Sequence, residues 1–92
     1  MSGSSDETTI HETTVLLPAH LHARPAGALV QAAAKFQSTV EVVYGDRSAN
    51  ARGVLAVMSL GALAGTCVLL RATGPDAEEA VATLAGVLAT AQ

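Results

Sequence analysis

The sequence contains few aromatic side chains, little cysteine and little charge. Of its 92 residues only Phe36 and Tyr44 are aromatic, one is cysteine and 14% are charged. A length of 92 residues fits one compact domain, and a hydrophobic content of 50% excludes a disordered body. Its core must be built from Ala, Val and Leu. The lone Cys67 excludes an internal disulfide, and its place in the apolar run 66–70 predicts a buried thiol.

Basic residues and recognised catalytic motifs are also scarce. Five Lys and Arg residues are scattered along a chain of net charge −3, which disfavours nucleic-acid binding. There is no nucleotide-binding glycine loop, carboxylate pair or Ser/His/Asp set. A zinc site made of His11, His20 and His22 would lack cysteine or carboxylate partners. We therefore predict no cofactor, no metal and no independent catalytic machinery.

Neither a secretory signal nor a membrane span is predicted. Residues 1–8 are polar and acidic, without the basic and apolar regions of a signal peptide, so we expect a cytoplasmic protein. Residues 53–70 carry no charge, and 18 residues is about the lower limit for a spanning helix. Gly61 and Gly65 interrupt this run, which favours two short buried elements joined by a glycine-rich turn.

The chain is predicted to form a loose tail at residues 1–7 and a single domain at residues 8–92. Pro18 ends the first strand and Pro25 opens the first helix, where a missing N–H is tolerated. Asp76, with Glu79 three residues later, predicts a capping box at the last helix. The remaining patterns predict strands at 8–17, 39–44, 47–50 and 66–73, and a short helix at 53–60.

The resulting order, β-α-β-β-α-β-α, indicates an α+β sandwich whose helices cover one face of a sheet. Ile10 and His11 point to opposite faces of the first strand, and we expect His11 on the solvated face.

The segment Leu-His-Ala-Arg-Pro-Ala at 21–26 is the most informative in the chain. His22 lies just ahead of a helix that begins near Pro25, where unpaired N–H groups and the helix dipole attract anions. Arg24 adds a guanidinium that can hold phosphate oxygens in a bidentate manner. The dipole would stabilise a phosphoryl group on His22 by about 0.3–1 kcal/mol, enough to tune its transfer without trapping it.

This segment resembles the active-site signature of the HPr phosphocarriers of the bacterial phosphoenolpyruvate-dependent sugar phosphotransferase system. Residues 55–61, Leu-Ala-Val-Met-Ser-Leu-Gly, resemble the second signature of the family at its usual separation. The resemblance covers about residues 8 to 91. It implies an open-faced sandwich with a four-stranded antiparallel sheet and three helices on one face.

The resemblance also implies roles for particular residues. His22 matches the histidine that accepts a phosphoryl group on Nδ1 from enzyme I and donates it to an enzyme IIA domain. Arg24 matches the arginine that contacts the transferring group, and Pro25 the proline that opens the helix. The implied partner-binding residues are Pro25, Gly27, Val30, Val54, Leu55 and Met58.

Two positions depart from the family pattern. Gly53 occupies the position where many Gram-positive members carry a kinase-regulated serine, so serine regulation is not expected here. His20 stands where the family usually has glycine, and we expect it to be an exposed loop histidine.

Three functions are compatible with the sequence. The first is the sugar phosphotransferase relay, with a monomeric carrier between enzyme I and enzyme IIA domains. The second is a nitrogen-type or dihydroxyacetone-kinase-type relay, in which phosphorylation regulates other proteins. The third is a non-catalytic interaction module whose apolar patch binds a partner whatever the state of His22.

Overall fold

A computed structural model describes residues 9–92 of the chain. Its elements follow the predicted order, with boundaries that differ by one or two residues. The strands and helices are β1 (Ile10–Leu16), α1 (Ala23–Ala33), β2 (Thr39–Tyr44), β3 (Arg47–Asn50), α2 (Val54–Ser59), β4 (Cys67–Thr73) and α3 (Ala77–Ala89). The tail predicted at residues 1–7 lies outside the described residues.

The four strands form one antiparallel sheet in the order β1-β4-β2-β3. Helix α3 packs across β1, β4 and β2, while α1 packs against α3 and α2. The core between helices and sheet is aliphatic, as predicted, and its largest fully buried hydrophobic side chains are Leu17, Leu29, Leu70, Leu84, Leu88, Val42, Val57 and Val68. The fold is therefore the expected open-faced sandwich, and no part of residues 9–92 covers the second face of the sheet.

The uncovered face of the sheet corrects two predictions. Cys67 is exposed there rather than buried. It lies on the same face of β4 as Leu69 and Arg71, while Val68 and Leu70 lie on the other face and fill the core. On β1, Ile10 is exposed, whereas His11 lies half-buried on the inner side with Val15. The predicted orientation of Ile10 and His11 was wrong. The two faces of β1 are nearly equal in polarity, so the sequence does not determine which face points to the core.

Asp76 is the residue before α3, but its carboxylate does not cap that helix, which corrects the predicted capping box. It accepts hydrogen bonds from the Ser38 hydroxyl at 2.5 Å and from the backbone N–H groups of Gln37 and Ser38 at 3.0 and 2.9 Å. The Ser38 hydroxyl, followed by the Gln37 N–H, holds the pKa of the Asp76 carboxyl below its usual range. This contribution to stability is present above the ordinary pKa of aspartate and is lost as the pH falls through the lowered value.

Gly74 lets the backbone pass close to Ser38, the residue that is hydrogen-bonded to Asp76. Its φ is +145°, and a Cβ there would lie 2.6 Å from Ser38 Oγ and 2.8 Å from Ser38 Cα. Gly74→Ala is therefore expected to lower the free energy of unfolding by about 1–3 kcal/mol, through backbone strain and overpacking. Urea unfolding followed by circular dichroism measures this change.

Gly86→Ala is the matched control for Gly74→Ala. Gly86 lies inside α3, and a Cβ at this position would meet nothing within 4 Å. The control should stabilise the protein by about 0.5–1 kcal/mol, because alanine loses less backbone entropy in a helix. Equal destabilisation by both substitutions would contradict the close contact at Ser38.

The uncharged run 53–70 forms α2, a loop and the first part of β4, as predicted. Gly61 and Gly65 have φ of +68° and +85°, which turn the chain between the two elements. Within residues 9–92, no helix has the length and apolar character that a membrane crossing requires.

Candidate functional site

His22 is the N-cap residue of α1, with extended backbone dihedrals (φ −82°, ψ −167°). Its carbonyl accepts the Ala26 N–H at 3.0 Å, the first hydrogen bond of the helix. Its side chain is exposed and makes no capping hydrogen bond. The backbone of His22 is thus held by the helix while its imidazole is available for chemistry.

The first turn of α1 presents backbone donors beside this imidazole. The N–H groups of Ala23 and Arg24 precede the first intrahelical hydrogen bond, and Pro25 has no N–H to offer. No acidic side chain occupies this turn. The geometry therefore favours an anion next to His22.

The loop that carries His22 is joined to the loop between α2 and β4. Leu21 N–H donates to the Ala62 carbonyl at 3.0 Å, Leu17 N–H to the Thr66 carbonyl at 2.9 Å, and Gly65 N–H to the Leu17 carbonyl at 2.8 Å. Leu17 and Leu21 are also buried in the core. These contacts fix the position of His22 relative to the second signature of the sequence.

A surface depression of about 350 Å³ joins His22 to that signature. It is lined by His20, Leu21, His22, Met58, Gly61, Ala62 and Leu63. His22 and Met58 are 36 residues apart in the sequence, yet they line one concave surface. A partner that reaches His22 would therefore also meet apolar side chains of the second signature.

Arg24 does not line the depression that contains His22. It lines a neighbouring one of about 310 Å³ together with Pro25, Ala28, Val87, Thr90, Ala91 and Gln92. Its side chain is exposed and forms no salt bridge within the described part of the chain. Arg24 is two residues from His22, as the motif requires, and the two residues line adjacent depressions.

Helix α2 divides into a buried and an exposed side. Val57 is fully buried against the core, whereas Val54 and Leu55 are 37% and 74% exposed. Met58 is half-buried and packs on the edge of the core. The sequence could not make this division, because both sides of the helix are apolar.

The implied contacts on α1 differ in exposure. Gly27 and Val30 are half-buried, so each keeps some surface. Pro25 is buried by most of its surface, yet it lines the depression that contains Arg24. It lies in the first turn of α1, where its missing N–H is tolerated, and its part in docking stays a prediction.

His20 is exposed, as predicted, but it is not an isolated loop side chain. The Ala64 N–H donates a hydrogen bond of 2.8 Å to its Nδ1 atom. Sequence reasoning missed this contact because Ala64 is 44 residues further along the chain. The only signal in the sequence was histidine at a position where the family usually has glycine.

Comparison with known proteins agrees with this geometry. The family model PTS-HPr, described as "PTS HPr component phosphorylation site", matches residues 10–90. The phosphocarrier protein HPr of Buchnera aphidicola is 31% identical over 78 residues, which are 85% of this chain and 92% of the relative.

Solved structures share the fold. The phosphocarrier protein HPr from Bacillus anthracis superposes with a TM-score of 0.81 at 30% identity, over 87% of this chain and 98% of its own. An HPr dimer from Thermoanaerobacter tengcongensis gives a TM-score of 0.68 at 43% identity, over 73% and 77% of the two chains. The chain therefore belongs to the HPr family of the phosphotransferase system, whose members are phosphocarrier proteins and not catalytic enzymes.

Proposed function

We propose that His22 accepts a phosphoryl group from phospho-enzyme I and passes it to an enzyme IIA domain of the sugar phosphotransferase system. One observation carries this proposal. The exposed imidazole of His22 lies at the start of α1 and lines a depression with Met58, so a reactive nitrogen and an apolar docking surface are adjacent. The donor and acceptor of such a relay act in the cytoplasm, which is the compartment we propose.

The proposed transfer needs no group from this chain other than the nucleophile and its electrostatic support. The lone pair of Nδ1 of His22 attacks the phosphorus, a P–N bond forms, and the P–N bond of the donor phosphohistidine breaks. The leaving nitrogen keeps the electron pair and can take up a proton. The same exchange in the opposite sense delivers the group to the enzyme IIA histidine, so the two steps balance without an oxidant or a metal.

The start of α1 would stabilise the bound phosphoryl group. The N–H groups of Ala23 and Arg24 and the helix dipole favour a dianion, by about 0.3–1 kcal/mol for the dipole. A contribution of this size leaves the group transferable. The His22 side chain makes no capping hydrogen bond that would have to break first.

Arg24→Ala is expected to slow phosphoryl transfer about 10- to 100-fold while leaving some acceptance on His22. The loss corresponds to one charge-assisted hydrogen bond from the exposed Arg24 side chain to the transferring group. Rapid-quench measurement of transfer from phospho-enzyme I reports the rate.

Lys35→Ala is the matched control for Arg24→Ala. It removes one exposed positive charge just beyond the opposite end of α1, so the net charge changes equally. The control should transfer at the parental rate. An Arg24→Ala protein that also transfers at that rate would remove the role assigned to Arg24.

The docking surface that we propose for enzyme I and enzyme IIA domains consists of Val54, Leu55 and Met58, flanked by Gly27 and Val30. Val54 and Leu55 are exposed apolar side chains, and Met58 reaches the depression of His22. Methionine adapts to partners of different shape, which suits a carrier that must bind two of them in turn. We propose that the carrier binds each of them as a monomer.

A reconstituted relay tests the function. The protein is incubated with enzyme I, magnesium and labelled phosphoenolpyruvate, and then with enzyme IIA domains of the sugar type and of the regulatory type. Acid-labile, alkali-stable label that moves to sugar-type domains is the expected result. Delivery only to regulatory-type domains would replace the sugar pathway with a regulatory relay. No label from an active, matched enzyme I would favour an interaction module.

A further inference from the structure

The loop between α2 and β4 forms one wall of the depression that contains His22. This loop supplies Gly61, Ala62 and Leu63 to the lining. Its backbone is joined to the His22 loop near both ends, through the hydrogen bonds of Ala62 and Thr66 described above. The middle of the loop, at Ala64, is held to the His22 loop by a side chain.

That side chain is His20, whose Nδ1 accepts the Ala64 N–H at 2.8 Å. A ring nitrogen accepts a hydrogen bond only when it carries no proton, so this contact requires neutral His20 with its proton on Nε2. A proton on Nδ1 would place two N–H groups face to face. The contact is therefore lost when His20 becomes an imidazolium.

We propose that His20 is a positioning residue of the phosphoryl site, which holds the loop at Ala64 against the His22 loop only while its imidazole is neutral. The latched loop holds Leu63 in place next to Met58, so that a docking partner meets one fixed apolar surface beside His22. Protonation of His20 releases the loop and weakens docking. The consequence for transfer rests on the proposed function, whereas the latch itself is a property of this chain alone.

The latch adjoins a depression whose described lining is mostly uncharged. From the loop of His20, the other titratable side chain in the depression is His22. Helix α2 contributes Met58, and the loop after it contributes Gly61, Ala62 and Leu63, all uncharged. Arg24, at the start of α1, lines the neighbouring depression instead. Within this lining, His22 is the group whose effect the test must separate from that of His20.

Two substitutions make that separation. In His20→Asn, Oδ1 replaces Nδ1 as the acceptor and does not titrate, so the latch should persist at every pH. In His20→Ala the acceptor is gone. Because His20 is exposed, neither variant should unfold the domain.

The direct readout of the latch is the ¹⁵N–¹⁵N coupling across the hydrogen bond from Ala64 N–H to His20 Nδ1. The parent protein should show this coupling at about pH 8 while the His20 ring is neutral, and lose it in acid once the ring becomes an imidazolium. The ring ¹⁵N shifts of His20 report which form is present. No coupling to the neutral ring, or a coupling that persists once the shifts report an imidazolium, would overturn the latch. This measurement requires no phosphotransfer, so it is independent of the proposed function.

The readout of positioning is the KM for the parent and the two variants as substrates of phospho-enzyme I. At about pH 8, His20→Ala should raise this KM about fivefold to tenfold, the effect of one net hydrogen bond, and His20→Asn should restore it. Between about pH 8 and about pH 5.5, the parent KM should rise more than that of His20→Asn, which reports every pH effect other than that of His20. A parental KM in His20→Ala, or identical pH profiles for parent and His20→Asn, would overturn the positioning role.

Discussion

His22→Ala is expected to accept no phosphoryl group while keeping the stability of the parent protein. The substitution removes the only nucleophile that the proposal assigns. The side chain that it deletes is exposed and makes no capping hydrogen bond, so the free energy of unfolding should change by less than about 0.5 kcal/mol. Label incorporation from phosphoenolpyruvate through enzyme I and urea unfolding measure the two effects.

Its control is His11→Gln, which removes another histidine from the chain. His11 is half-buried on β1, on the inner side of the sheet, and it does not line the depression. The control should take up label as the parent does. Label retained by His22→Ala, or lost equally in His11→Gln, would contradict the assignment.

Leu55→Glu is expected to weaken binding to enzyme I about 30-fold or more without destabilising the fold. Leu55 is 74% exposed at the centre of the proposed docking surface, so little packing is lost within the domain. A carboxylate in a desolvated apolar contact would cost about 2 kcal/mol or more, as at a binding hot spot. Titration calorimetry with enzyme I measures the affinity.

Ile10→Glu supplies the matched control for Leu55→Glu. Ile10 is 59% exposed, but it lies on the uncovered face of the sheet, away from α2. The same chemical change there should leave the affinity for enzyme I as it is in the parent. If both variants bind as the parent does, α2 is not the docking surface. If both bind equally weakly, the effect is one of charge alone.

The order of the elements could be predicted because local signals mark each boundary. Pro25 lies in the first turn of α1, and Gly61 and Gly65, with positive φ, separate α2 from β4. In α3, Leu84 and Leu88 are four residues apart, as on one face of a helix, and both are fully buried. These features depend on nearby residues, so sequence patterns report them well.

Orientation and long-range contacts could not be predicted. The polarity of β1 and of residues 66–70 does not fix which side faces the core. Cys67 was expected to be buried and His11 to face solvent, but Cys67 is exposed and His11 is half-buried. Asp76 resembles an N-cap in sequence, yet its carboxylate is used by Ser38, 38 residues away. Such partners are chosen by the tertiary structure.

In the candidate site, too, local features could be predicted from the sequence and long-range contacts could not. His22 at the start of a helix follows from the motif, and the structure agrees. The sequence could not show that Met58 lines the depression of His22, that Arg24 lines the neighbouring one, or that His20 binds Ala64. The positions of Met58 and His20 depend on how the loop 61–66 folds against the His22 loop, and that of Arg24 depends on how α1 packs against the end of α3.

The most direct test of the central claim is the location of the phosphoryl group on the intact protein. Nuclear magnetic resonance of the ¹⁵N-labelled chain, after phosphorylation by enzyme I and phosphoenolpyruvate, distinguishes the ring nitrogens of His11, His20 and His22. We expect phosphorus on Nδ1 of His22, with the other two rings unmodified. Phosphorus on another histidine, or on no histidine when enzyme I is active, would contradict it.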